Sequence, residues 1–158
     1  MEITSVLGEY FKKSGFVVLY TRTTDKALGK NKKTDIYKRV DLINKSDCDI
    51  YLSIHANAYP SSSVKGAQTF YSERNDDNLQ LADSIMSYLK LLDNTNKRVA
   101  KSIKGKYLID NVNCVGCLVE VGFLTNEIDL ANLKDPKYIS NLALYIYMGV
   151  MDYLEVKK

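Results

Sequence analysis

A chain of 158 residues with 46% hydrophobic residues and charges of both signs has the size and apolar content of one globular domain with a real core. Its net charge of +3 suits an anionic polymer but is far from the concentrated positive stripe of a nucleic-acid binder, so no nucleic-acid partner is expected. Cys48, Cys114 and Cys117 are an odd number in a chain too large to need a disulfide framework, so no structural disulfide is expected either.

Ile3, Leu7 and Phe11 recur every four residues and predict a helix that the chain enters without a cap. After Ser14-Gly15, the β-branched and aromatic run FVVLYT predicts a buried strand, followed by a polar loop from Arg22 to Lys33. Thr34 is placed to cap a helix whose buried side holds Ile36, Val40 and Ile43 and which ends near Lys45 and Ser46. The next strand is DIYLSI, and a third, GAQTFY, follows a Pro-Ser-Ser-Ser loop.

A long amphipathic helix then carries Leu81, Ile85, Tyr88 and Leu92 along one stripe. KYLI and CLVEV are expected as two more short strands around an Asn-rich turn. Asn126 starts a brief helix, and Asp135-Pro136 provides the cap and first turn of the last one, with a stripe of Ile139, Leu142, Ala143, Ile146, Val150 and Tyr153. Short buried strands alternating with helices predict an α/β sandwich on a mostly parallel sheet, with no repeat and no second domain. No stretch is long and apolar enough to span a bilayer, and MEITSV has neither the basic start nor the apolar run of an export signal, so any such signal is expected outside this sequence.

His55 is the only histidine, and it stands where the strand DIYLSI gives way to the polar run His-Ala-Asn-Ala. Ligands of open α/β sheets bind beyond the carboxyl ends of the strands, which makes this a favoured place for a functional side chain, although packing and surface roles stay open. Glu120 sits between Leu118, Val119, Val121 and Phe123 in a strand near the core. A carboxylate there either pairs with a cation or has its pKa raised, and the second environment is that of a general base.

Cys114-Val-Gly-Cys117 has the spacing of half a zinc knuckle, but with Cys48 as the only other thiol the motif reads as small core residues. Arg39, Asp41 and Asn44 on the second helix, and Arg22 and Asp25 after the first strand, either line a polar site or form a solvated face. Lys97 and Arg98 are a solvated run or contacts to an acidic substrate.

In this order, VVLYTRTTD, RVDLIN, DIYLSIHANA, GAQTFY and LVEVGFLTNEID resemble the zinc-dependent N-acetylmuramoyl-L-alanine amidases of the amidase-3 type, over nearly the whole chain. GAQTFY and DNTNKRVAK look most like the members of that family that act on spore-cortex peptidoglycan and take part in muramic-δ-lactam formation. The resemblance implies a three-layer sandwich, extracytoplasmic action on peptidoglycan, and a Zn2+ held by two histidines and a glutamate. It makes His55 of SIHANA a zinc ligand and Glu120 of the Val-Glu-x-Gly-Phe motif the catalytic carboxylate, with Asn57 fixing the loop that presents His55.

By the same resemblance the family's ligand glutamate falls a few residues before Met1 and the strand with its first histidine earlier still, while Glu2 is out of register. Residues 1–158 are therefore expected to be one N-terminally truncated amidase-like domain lacking the family's first strand, with weak or absent zinc and little activity alone. The alternatives are a shortened paralogue or fragment that binds cell wall or a partner without hydrolysis, and a general α/β ligand-binding domain. No Gly-rich phosphate loop follows any strand, which removes a nucleotide site. An uncovered neighbouring strand edge predicts aggregation, oligomerisation or strand exchange, and an accessory protein is a further partner left open.

Overall fold

The computed structural model describes residues 2–157. In chain order these form helix α1 (Glu2–Lys13), helix α2 (Lys32–Lys45), strand β1 (Ile50–Asn57), strand β2 (Gln68–Tyr71) and helix α3 (Asp76–Leu92). Strand β3 (Lys101–Ser102), helix α4 (Tyr107–Asn111), strand β4 (Val115–Phe123), helix α5 (Glu127–Asn132) and helix α6 (Pro136–Val156) complete them. The sheet order is β1-β4-β2-β3, parallel between β1 and β4 and between β2 and β3, antiparallel between β2 and β4. It is the mostly parallel, helix-flanked sheet expected from the sequence, with one antiparallel pairing.

Side chains alternate across a strand, so β4 divides its residues between two helical layers. Cys117, Val119 and Val121 enter the main core with Leu7 of α1, Leu81, Ile85, Met86 and Leu89 of α3, and Leu142, Ile146 and Val150 of α6. On the other face, Val40 and Ile43 of α2 cover Tyr51 of β1 together with Val112 and Leu108. The six residues of the α6 stripe are all buried, and Asp135 caps the helix by accepting from the Lys137 N–H, as its position before Pro136 predicts.

The close approach of α3 to α6 depends on Gly149, where a Cβ would stand 2.6 Å from the Ile85 Cα. Helix α1 ends where Gly15 takes φ +86, with Phe16 N–H on the Phe11 carbonyl and Gly15 N–H on that of Lys12. This is a Schellman closure, and the Phe11 and Phe16 rings meet across it at 5.7 Å.

Three local expectations need correction. FVVLYT is extended but is not a buried strand: Val17 is 90% and Leu19 60% exposed. Its β-branched composition suits a pleated surface, but among the described residues no strand runs beside it, and it lies along α1 with Tyr20 filling the space over Gly8. KYLI is not a strand but part of α4, because a four-residue apolar run has no decisive period, and burying Ile109 while Leu108 packs toward α2 favours one helical turn. The cap of α2 is Asn31 rather than Thr34; Thr34 is the third helical residue and reciprocates through its hydroxyl, completing a capping box.

Candidate active site

Strands β1 and β4 pair so that His55 and Glu120 are register partners, and Gln68 of β2 is the partner of Glu120 on its other side. Residues opposite one another in a sheet project from the same face, about 5 Å from strand to strand, so the three form one row across three strands. The row lies on the face that α2 covers lower down, close to the carboxyl ends of β1 and β4. Beyond it, the register shifts between His55 and Asn57, and the Leu124 N–H returns to the Asn57 carbonyl at 2.8 Å. That irregularity ends the ladder and opens the sheet just past His55.

The ring of His55 meets solvent, and its Nε2 lies 3.1 Å from Ser53 Oγ, two residues earlier on the same face. Surrounding protein pushes its pKa below the ordinary value, and the charges of Arg39 and Arg22 push the same way. The neutral imidazole is the form that binds a metal.

Glu120 is half-buried, and its Oε2 is buried with no hydrogen-bond partner. Burial pushes its pKa above the usual carboxylate range, opposed by the Lys106 charge. Among the described residues no cation pairs with it directly, so the ion-pair reading of its sequence position is set aside and the environment suits a general base.

Other candidates from the sequence fall on both sides of the site. Arg39 is tied to Asp35 at 2.8 Å and reaches His55 through its charge, as the exposed Arg22 does. Asp41 pairs with Lys45 on the surface, and Asn44 bonds the Asn111 carbonyl and the Asn113 N–H, tying α2 to the approach of β4. Asp25 is exposed, and Lys97 turns to the Asn94 carbonyl. Asn57 accepts from the Ala58 N–H at 2.8 Å, a bond within the loop after His55.

Arg98 borders the row. It donates to Gln68 Oε1 at 2.8 Å and to the Lys65 carbonyl at 2.9 Å, and its guanidinium lies 4.9 Å from the centroid of the Phe123 ring. Gln68 and Lys106 are site residues that sequence reasoning missed. The only signal for Gln68 was an amide inside the otherwise apolar GAQTFY.

The cysteines are free thiols, and Cys114 touches Cys48 rather than Cys117. Burial pushes Cys117 up to about 12, as expected of a small core residue.

A catalytic zinc takes three protein ligands and keeps a position for water. His55 and the unpartnered carboxylate of Glu120 are chemically suited to the neighbourhood of such an ion. Among the described residues, however, no three His, Cys, Asp or Glu side chains converge. The donor set therefore fits one ligand of the site and does not complete it.

A family profile described as N-acetylmuramoyl-L-alanine amidase matches residues 1–152. The germination-specific N-acetylmuramoyl-L-alanine amidase of Bacillus subtilis is 37% identical over 99% of this chain and 70% of its own length. Among solved structures, the CwlD amidase from Clostridioides difficile, determined in complex with the GerS lipoprotein, superposes with a TM-score of 0.93 at 34% identity, over 98% of this chain and 84% of that one. The catalytic domain of CwlV, an amidase of the same activity from Bacillus (Paenibacillus) polymyxa, shares the fold with a TM-score of 0.84 at 24% identity, over 98% of this chain and 82% of that one.

Proposed function

The chain belongs to the amidase-3 family of N-acetylmuramoyl-L-alanine amidases, and on that premise we propose that Glu120 is the general base and His55 a zinc ligand in cleavage of the bond between N-acetylmuramic acid and L-alanine. The observation that carries this reading is the pairing of His55 with Glu120 across β1 and β4, with Glu120 Oε2 buried and unpartnered. The Glu120 carboxylate, of raised pKa, takes the proton of an attacking water and returns it to the leaving amine nitrogen, so one group serves as base and then acid. Arg22, Arg39 and Lys106 hold a positive field around the pair, which favours the carboxylates of a peptide substrate.

The zinc implied by the family supplies Lewis acidity at the scissile carbonyl when bound. The described residues do not complete its ligand set. Identity to the germination-specific enzyme supports spore-cortex peptidoglycan as the substrate and an extracytoplasmic place of action. The relative whose structure was solved in complex with a lipoprotein supports an accessory protein of that kind for this chain.

The test is release of new L-alanine amino groups from purified peptidoglycan with zinc in excess, beside zinc stoichiometry after dialysis. Weak zinc retention that His55→Ala abolishes, and amine release that Glu120→Gln lowers to background, are the expected results. Release unchanged in Glu120→Gln removes that residue from the reaction, and near-stoichiometric zinc after dialysis shows a fuller ligand set than His55. Peptidoglycan binding without release favours the second reading, a wall-binding fragment or paralogue, for which the incomplete ligand set is the motivating observation.

A further inference from the structure

We propose that Cys48 and Cys114 form a reversible redox pair, closing into a disulfide that staples the foot of β1 to the foot of β4. The two Sγ atoms lie 3.1 Å apart, so about 1 Å of side-chain movement brings them to bonding distance. Cys48 stands in the turn between α2 and β1, two residues before Ile50, and Cys114 immediately precedes Val115. Ile50 and Val115 are register partners, so the sulfurs sit together at the amino-terminal ends of adjacent parallel strands.

Each thiol is partly exposed. Cys114 borders two open polar depressions of about 420 and 330 Å³, and Cys48 borders the second, which gives a small oxidant access. Cys117 is fully buried on the opposite face of β4 and is not a competitor. No third His, Cys, Asp or Glu joins the pair in a metal-binding group among the described residues. Cys48 lies seven residues before His55 and Cys114 six before Glu120, roughly 20 Å along the strands, so closing the pair leaves the hydrolytic row in place.

The oxidant is a disulfide, either a small molecule or a protein. Burial and the Cys48 contact push the Cys114 thiol up to about 12, so Cys48 is the one that attacks the oxidant as thiolate, forms a mixed disulfide and releases half of it as a thiol. The second gives up its proton, and its sulfur displaces the other half. Two S–H bonds are lost and one S–S bond forms in the chain, while the oxidant's S–S bond is reduced to two thiols. Because the bond closes the long loop between residues 48 and 114, it constrains the unfolded chain strongly and raises stability.

The full chain, reduced and then incubated with oxidised glutathione, provides the test. Thiols titrated after unfolding should fall from three to one, a peptide map should show the Cys48–Cys114 link, and Tm should rise by about 5 °C or more and return on adding reductant. Cys48→Ala and Cys114→Ala should each make Tm independent of oxidant. Three thiols remaining, a link to Cys117, a link between chains, stable glutathione adducts or an unchanged Tm each overturn the proposal. The thiol count and map on the unaltered chain decide the matter even where a variant fails to fold.

Discussion

His55 and Glu120 are register partners on the parallel strands β1 and β4, and the Oε2 atom of Glu120 is buried without a hydrogen bond. A carboxylate so placed opposes folding whenever it is ionised. Its pKa is raised in the folded state, so the penalty is absent at acid pH, sets in as pH rises past the ordinary carboxylate value and is complete above the folded one. Glu120→Gln is therefore expected to be more stable than the unaltered chain by about 1 kcal/mol at neutral pH and to lose that advantage at acid pH. In the same variant, amine release should fall at least about 100-fold. Urea midpoints at several pH values and the peptidoglycan assay check both arms.

His55 gives the opposite pH trend. Its folded pKa is lowered, so folding disfavours its protonated form, and the cost appears as pH falls below the ordinary histidine value, complete below the folded one. The unaltered chain should lose more stability between neutral and mildly acid pH than His55→Gln does. Chemical denaturation of the two proteins side by side isolates this difference from the other carboxylates.

Gly149→Ala tests the α3–α6 contact. The added methyl would meet the Ile85 backbone, with its Cα at 2.6 Å and its N at 3.0 Å, and a backbone cannot step aside as a side chain can. The expected cost is about 1–3 kcal/mol, read as a lower urea midpoint with unchanged m.

Asp129 holds the loop before β2 and the end of β4 together, its Oδ2 accepting the N–H groups of Gly66 and Phe123, each at 2.8 Å. Asp129→Ala leaves two buried donors unpaired and should cost about 2–4 kcal/mol. Asp129→Asn keeps an acceptor and should cost less. Equal losses in the two variants would show that charge, not hydrogen bonding, is what the site requires.

The outer edge of β1 is unpaired among the described residues, and Val17 and Leu19 lie exposed on an extended segment. Self-association that rises with concentration is expected, and replacing both residues with Lys should lower it while leaving Tm unchanged. Light scattering across a concentration series measures this; a monodisperse monomer in the unaltered chain rejects it.

The elements most legible in the sequence were those with both a long period and a chemical stop. Helix α6 combines Asp135, Pro136 and a six-residue stripe, and each signal agrees with the others. KYLI and FVVLYT were too short for periodicity to decide, and their state depends on neighbours that composition does not specify. His55 could be singled out as a polar residue at the end of a strand run, and Glu120 as a carboxylate inside an apolar one. That they meet, with Gln68 beside them, depends on strand register, which links Glu120 to residues 65 and 52 positions away and is not written in either run. The same holds for Cys48 and Cys114, which register brings together across 66 residues while alternation across β4 sends Cys117 to the other face.

Asp129 also has a mechanical consequence. One carboxylate pins the segment entering β2 to the segment leaving β4, and these two stretches flank Gln68 and Glu120. They are coupled as two leaves on a single hinge pin. A displacement of either leaf carries the other with it, so the two stretches beside Gln68 and Glu120 move as one stiff unit.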